Sequence, residues 1–109
     1  MTTVTLLLRG GEPVGFDITG HTGLAQAGQD ILCAAISSAA YLTANTITDV
    51  IGAEAEAAAA DGKMKVLVSV RDEEKCRDIL KGFELHIRQL SQQYPKGVRI
   101  IKLNTREGA

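Results

Sequence analysis

Apolar and polar positions alternate twice near the start of the chain, in the runs TVTLLLRG and EPVGFDITG. The apolar positions are Val4, Leu6 and Leu8 in the first run, and Val14, Phe16 and Ile18 in the second. A period of two is typical of a strand with one buried face. Gly10 and Gly11 stand between the runs and tolerate the positive φ of a hairpin turn. The pattern predicts a β-hairpin whose second strand ends at Gly20.

A helical spacing of apolar residues follows, from Ile31 to about Ile51. Asp30 is a residue type that favours the N-cap, and Gly52 favours the C-cap. The segment is rich in alanine, which permits close packing against a sheet or a second helix. The sequence therefore predicts a buried central helix capped by Asp30.

The second half of the chain repeats the order of strands and helix. The pair Asp61-Gly62 predicts a hairpin between a strand at Ala53–Ala60 and a second arm with alternating Met64, Val66, Val68 and Val70. The run RDEEKCRDILKGFELHIRQLSQQYP has acidic residues in its first turn and ends at Pro95, as an amphipathic helix does. Its apolar stripe consists of Cys76, Ile79, Leu80, Phe83, Ile87 and Leu90. The run GVRIIKL predicts a last strand.

The order β-β-α-β-β-α-β predicts an α/β fold, a two-layer sandwich of a mixed sheet and two helices. With 109 residues, the chain is expected to form a single domain over positions 1–109.

Composition narrows the classes of function. The formal net charge is −1 and the basic residues are dispersed, so no direct contact with nucleic acid is expected. The helix from Ile31 to Ile51 is interrupted by polar residues, so no membrane span is expected, and no signal peptide is expected either. Two cysteines far apart in the sequence predict free thiols in a reducing cytoplasm. No paired CxxC or HxxxH, GxGxxG or GK[ST] motif is present, so neither a metal nor a cofactor is expected.

Cys33 and His21 are the candidate reactive pair. With Asp30 as N-cap, Cys33 is the third helical residue, and the unpaired N–H groups and the positive end of the helix dipole stabilise its thiolate. Asp30 would then accept from the N–H of Cys33, and Ser37 lies one turn beyond it on the same face. The loop with Gly23 and Gly28 allows His21 to approach the sulfur as general base. In the competing interpretation, Cys33 is a buried structural cysteine.

The remaining histidine and cysteine are expected to have no catalytic role. Cys76 shares the apolar stripe of the second helix, which predicts core packing. His86 lies on the flank of that helix and is expected to face solvent.

The stretch GHTGLAQAGQDILCAAISS resembles the signature of the ribosomal-processing cysteine protease family, Prp. The matching elements are a Gly-His pair, a glycine-containing loop and G-x-D-I-x-C-A-A-x-S, here Gly20, His21, Gly28, Asp30, Ile31, Cys33, Ala34, Ala35 and Ser37. A weaker similarity extends over nearly the whole chain, through the Asp61-Gly62 hairpin, the second helix and the last strand.

The resemblance implies a cytoplasmic cysteine endopeptidase. Members of this family remove a short N-terminal extension from the large-subunit ribosomal protein numbered twenty-seven. By position, Cys33 is implied as nucleophile and His21 as general base, with Asp30 and Ser37 as supporting residues. The loop Thr22–Gln29, with Gly20, Gly23 and Gly28, is implied to order over the substrate peptide. The family also implies a homodimer.

One position departs from the family pattern. Members often carry an aromatic residue just before the second loop glycine, where this chain has Ala27. A different substrate preference or a weaker affinity is the expected consequence.

Two alternatives to a protease stay open at this stage. The first is a non-enzymatic, ribosome-associated binding module in which His21 and Cys33 are structural. The second is a thiol redox sensor, which needs an accessible resolving thiol and which a buried Cys76 disfavours.

Overall fold

The computed structural model describes residues 1–20, 29–60 and 62–105, with only the backbone at positions 29 and 30. Its strands are β1 (Thr2–Arg9), β2 (Glu12–Thr19), β3 (Ala55–Ala60), β4 (Lys63–Val68) and β5 (Val98–Asn104), and its longer helices are α1 (Gln29–Asn45) and α2 (Arg77–Gln93). They form a five-stranded sheet in the order β3-β4-β2-β1-β5. Only the β1–β5 pair within this sheet is parallel. The predicted α/β fold with a mixed sheet and two helices is confirmed.

One hydrophobic core joins the sheet to both helices. Phe16 of β2 stacks on Phe83 of α2, with ring centroids 4.4 Å apart. The sheet contributes the predicted inward positions, among them Val4, Leu6 and Ile18. The helices contribute Leu32, Ile36, Ala40 and Ala44 from α1, and Leu80, Phe83, Ile87 and Leu90 from α2. The alternation and the helical spacing therefore identified most of the buried face.

Val14 is an exception to the predicted alternation. The register between β1 and β2 shifts between Leu7 and Leu8, so Gly15 pairs with Leu7 while Pro13 pairs with Leu8, which leaves Val14 as the extra residue of a β-bulge. A bulge reverses the alternation beyond it. Val14 consequently packs with Leu7 and Leu67 in a second cluster, apart from the core that holds Phe16 and Ile18.

The first helix begins earlier than predicted. Asp30 already has helical backbone as the second residue of α1, so the prediction that Asp30 is the N-cap was wrong. Glutamine is a good helix former, and the helix extends through Gln29 instead of beginning at the first regularly spaced apolar residue. At the other end a π-helical turn, Thr46–Val50, continues the helix. Gly52 then stops it with φ +75°, as a C-terminal glycine does.

The second helix begins later than predicted. Two 3₁₀ turns, Val70–Asp72 and Glu74–Cys76, precede α2 where the sequence predicts a regular helix from Arg71. The carboxylate of the buried Asp72 accepts a hydrogen bond of 2.8 Å from the backbone N–H of Glu54. This bond ties the segment to the chain just before β3, and the segment turns more tightly than an α-helix. The helix ends at Gln93, two residues before Pro95, as predicted.

The second hairpin has the predicted two-residue connection. Ala60 pairs with Lys63, and Gly62 has φ +72°; Asp61 lies outside the described residues. The strand β3 begins at Ala55 rather than Ala53 and is an exposed edge of the sheet.

The segment Ile31–Val50 has a mean hydropathy of 1.3, and by length and composition alone it could cross a membrane. Its buried residues, including Leu32, Ile36 and Ile47, pack into the core beneath it.

Candidate active site

Strand β2 ends in a backbone conformation that favours glycine. Gly20 has φ +81°, and a Cβ atom at this position would lie 2.7 Å from the carbonyl oxygen of Met1. Both the left-handed conformation and the contact oppose a larger side chain. Gly20 therefore turns the chain out of the sheet directly before His21, past the start of β1.

The start of α1 lies at the same end of the sheet. The N–H of Thr2 donates a 2.9 Å hydrogen bond to the carbonyl of Gly97, just before β5. A Cβ atom at Gly97 would collide with the side chain of Leu32, which precedes Cys33. A continuous set of contacts, through Met1, Thr2 and Gly97, thus joins the residue before His21 to the residue before Cys33.

Cys33 is the fifth residue of α1, is half-buried and is a free thiol. Its N–H belongs to the body of the helix, so the predicted hydrogen bond from this N–H to an Asp30 cap is wrong, because the helix begins at Gln29. Side chains of a helix lean toward its N-terminus. From this rule we expect the sulfur to lean toward the first turn, whose N–H groups have no partner within the helix.

Ser37 lies one turn beyond Cys33 and is half-buried, as the spacing predicts. It lines a cleft of about 60 Å³ between α1, the end of β2 and the tip of the β3–β4 hairpin. The cleft residues are Ile18, Ile36, Ser37, Ala40, Tyr41, Ala60, Lys63 and Met64. Its floor is apolar, and Ser37, Tyr41 and Lys63 add polar groups. The cleft therefore lies between the helix that carries Cys33 and the strand that leads to His21.

Several predicted site residues fall outside the described part of the chain. These are His21, Gly23, Ala27 and Gly28 with most of the loop Thr22–Gln29, and the side chain of Asp30. The pairing of His21 with Cys33 and the role of Asp30 thus remain predictions. Of the predicted set, the structure places Gly20, Cys33 and Ser37 at one end of the molecule.

The two residues expected to lack a catalytic role have the predicted surroundings. Cys76 is fully buried in the core. Burial, with a smaller effect of the Asp72 charge, raises the pKa of its thiol. His86 is exposed, on a groove between α1 and α2. Within residues 1–20, 29–60 and 62–105, no group of three His, Cys, Asp or Glu side chains could hold a metal ion.

Sequence reasoning missed Tyr41 and Lys63 as candidate site residues. Tyr41 follows Ser37 by one further turn, so a search at helical spacing from Cys33 could have found it. Lys63 enters the cleft through the pairing of β4 with β2, and no local pattern in the sequence indicates that.

Comparisons with known proteins point to one family. The model of the family described as "Cysteine protease Prp" matches residues 1–99. The ribosomal processing protease Prp from S. aureus with a substrate peptide is 18% identical, with a TM-score of 0.85 over 94% of this chain and 100% of that one. The structure of the S. aureus protease Prp with a covalently linked product peptide is 19% identical, with a TM-score of 0.82 over 94% of this chain and 100% of that one.

A further solved structure, SMU.848 from Streptococcus mutans, is 23% identical with a TM-score of 0.78 and covers 96% of each chain. No curated protein sequence matches the chain. At these identities the structural likeness shows a shared fold.

Proposed function

Because the chain belongs to the cysteine protease Prp family, we propose that it removes an N-terminal extension from the large-subunit ribosomal protein numbered twenty-seven. The observation that carries the proposal is the position of Cys33, a free, half-buried thiol near the start of α1 and one turn before Ser37, which lines a cleft. A related protease of this fold has been solved with a substrate peptide and with a covalently linked product peptide.

In the proposed mechanism Cys33 and His21 act as a dyad. His21 accepts the thiol proton, and the Cys33 sulfur attacks the scissile carbonyl carbon to form a tetrahedral intermediate. The intermediate collapses to a thioester as His21 returns the proton to the leaving amine. Water, deprotonated by His21, then hydrolyses the thioester, releases the acid and restores the thiol.

The start of α1 supplies the proposed oxyanion site. The N–H groups of its first turn have no partner within the helix, and the positive end of the helix dipole lies there. The proposal has the Cys33 sulfur leaning toward this turn, so that the carbonyl oxygen of a substrate attacked there is close to these donors. Asp30 is proposed to support the site electrostatically or to orient His21, and Ser37 to support Cys33 from the next turn.

The cleft beside Ser37 is the proposed place for a substrate side chain. An apolar cavity of roughly 150 Å³ holds a benzene ring, whereas this cleft measures about 60 Å³. An aliphatic side chain is therefore the better fit, and an aromatic one requires Tyr41 or Met64 to move.

The assembly and cellular location are part of the same proposal. Exposed apolar side chains on the two helices, Ile31, Leu42 and Leu85, support a homodimer in which they are covered. Sedimentation equilibrium tests it: a monomer at micromolar concentration contradicts the proposal. The free thiols of Cys33 and Cys76 support the proposed cytoplasmic location.

The test is intact-mass analysis of the precursor ribosomal protein after incubation with the wild-type chain or with Cys33→Ala. We expect loss of a defined N-terminal peptide with the wild type and no cleavage with Cys33→Ala, although the variant stays folded because the residue lies outside the core. Cys76→Ala is the matched control, since it removes the other thiol and keeps cleavage. Cleavage by Cys33→Ala at the normal rate would refute the mechanism. Binding of the precursor without cleavage by the wild type would favour the non-enzymatic binding module.

A further inference from the structure

Within the described residues, strand β3 is an edge of the sheet and pairs with β4 alone. Along an antiparallel pair, residues that exchange hydrogen bonds with the neighbour alternate with residues whose N–H and C=O groups point away from it. The N–H of Ser69 donates a 2.9 Å hydrogen bond to the carbonyl of Glu54, the residue before β3. Counted in twos from Glu54, every second residue therefore bonds to β4. The residues between them present their N–H and C=O groups at the open edge, and they are Ala55, Ala57 and Ala59.

The two edges of the sheet are protected unequally. The other edge strand, β5, carries Arg99 and Lys102, and the ammonium of Lys102 lies 3.9 Å from the carboxylate of Glu84 on α2. Charges on an edge strand, above all those that point inward, oppose pairing with a further chain. Strand β3 has no proline, and its one charged residue, Glu56, pairs with Leu67 on the face away from the helices. Its open N–H and C=O groups are therefore available to an added strand.

The helix-side face of this open edge continues the cleft. Ile18 pairs with Met64 and Met64 with Ala59, so these three residues form one row across β2, β4 and β3. Ile18 belongs to the core beneath the helices, and both Ile18 and Met64 line the cleft. A strand added beside β3 would lie about 4.8 Å beyond Ala59. The side chain that it places in this row is therefore on the same face of the sheet as the cleft.

The end of β3 lies close to the candidate nucleophile. Ala60 and Ser37 line the same cleft. Cys33 precedes Ser37 by one turn of α1, which is about 6 Å along the helix axis. An extended chain advances about 3.3 Å per residue, so a few residues beyond β3 carry an added strand from the cleft to Cys33.

We infer that the open edge of β3 binds the substrate polypeptide as an added strand, an inference that rests on the proposed protease function. Strand β3 runs toward the cleft, so the substrate segment that precedes the cleaved bond lies parallel to β3 and leads to Cys33. Main-chain hydrogen bonds to Ala55, Ala57 and Ala59 hold this segment whatever its sequence, and alternate side chains supply specificity.

The two faces of the added strand meet different surroundings. On the helix side, the cleft of about 60 Å³ has an apolar floor. On the other face, a hollow of about 250 Å³ beside β3 is lined by Asp17, Lys63 and Lys65 among others. Substrate side chains should therefore alternate along the segment, apolar on the helix side and polar on the other.

The test measures binding of a fluorescein-labelled peptide to the folded Cys33→Ala protein by anisotropy. The peptide contains the extension of the precursor and the first few residues of the mature protein, and its backbone N–H groups are methylated one at a time. Every second residue before the cleaved bond donates to β3. Methylation at these residues should weaken binding by about 2- to 12-fold each, as the loss of one hydrogen bond predicts, and methylation between them should not.

A proline at Ala57 removes the central donor of the open edge. The N–H of Ala57 points away from β4, so Ala57→Pro is compatible with the fold at this edge position. The ring replaces the donor and obstructs the neighbouring bonds, so we expect at least about tenfold weaker binding and loss of the period of two. The matched control is Asn104→Pro in β5. The N–H of Thr105 donates to the carbonyl of Leu8, so the N–H of Asn104 points out of the opposite edge, and this control should keep the affinity.

Equal losses at consecutive methylated residues, no loss at any of them, or equal affinities of Ala57→Pro and Asn104→Pro would overturn the inference. Without peptide, a smaller mass of Ala57→Pro than of Asn104→Pro at sedimentation equilibrium would assign the edge to a second copy of the chain and overturn it too. Cleavage of the precursor by the protein that retains Cys33 is measured separately. Cleavage without the period of two refutes strand addition alone, whereas the period of two without cleavage removes only the proposed protease activity.

Discussion

Gly20 offers a direct test of how the sheet positions the candidate dyad. Replacing it by alanine forces a Cβ atom into a backbone with φ +81° and to within 2.7 Å of the Met1 carbonyl oxygen. Gly11 has the same φ, +81°, but a Cβ atom there has nothing within 4 Å. The pair Gly20→Ala and Gly11→Ala therefore separates the conformational cost from the cost of the contact.

The magnitudes follow from these two terms. A non-glycine residue in the left-handed region costs about 1–2 kcal/mol, which the lower entropy of the unfolded alanine chain offsets by about 0.4–1 kcal/mol. Gly11→Ala should thus lose roughly 1 kcal/mol, or about 4–8 °C in Tm. An overpacked contact adds typically 1–3 kcal/mol, so Gly20→Ala should lose at least about twice as much.

The functional consequence should differ more sharply than the stability. The hydrogen bond from the Thr2 N–H to the Gly97 carbonyl holds the start of β1 in place. The end of β2 must therefore move to relieve the contact between the new Cβ atom and the Met1 carbonyl oxygen, and we expect His21 to move with it. A displacement of about 1 Å at a catalytic group can cost about 100-fold in rate. We expect kcat/KM for precursor cleavage to fall at least about tenfold in Gly20→Ala and to stay unchanged in Gly11→Ala.

Thermal unfolding by circular dichroism and single-turnover cleavage, both on purified variants below their Tm, measure the two quantities. The reasoning fails if Gly20→Ala matches Gly11→Ala in Tm and cleaves at the wild-type rate. A loss of cleavage in both variants alike would also contradict it, because Gly11 lies in the turn at the far end of the hairpin.

Two further predictions concern the cysteines and the buried carboxylate. Iodoacetamide should label Cys33 much faster than Cys76 in the folded protein, because Cys76 is fully buried and burial raises the pKa of its thiol, and equal rates in peptide mapping would contradict this. The hydrogen bond from the Glu54 N–H lowers the pKa of Asp72 from its ordinary value, so the stabilisation is present above the ordinary pKa of an aspartate and is lost as the pH falls through the lowered pKa. Urea unfolding between pH 2 and 6 should show a weaker acid dependence for Asp72→Asn, and an unchanged slope would exclude Asp72 as a contributor.

Part of the candidate site was predictable from the sequence. Spacing along the chain predicts Cys33 near a helix start and Ser37 one turn later. The conformational freedom of glycine predicts Gly20 at the end of a strand. Helix α1 nevertheless begins at Gln29, so the details of capping and of the N–H groups near Cys33 differ from the prediction. Helix ends depend on small differences in local energy, and these differences are hard to assign from residue types alone.

What the sequence determined by itself is local: the two hairpins, the two helices and most of their buried faces, because periodicity and turn chemistry act between residues close along the chain. The bulge at Val14, the 3₁₀ turns at Asp72 and the cleft came only from the tertiary structure. Asp72 finds its partner at Glu54, and Lys63 reaches the cleft through the pairing of β4 with β2. Strand register and the pairing of charges depend on contacts between distant segments, and only the folded sheet brings those segments together.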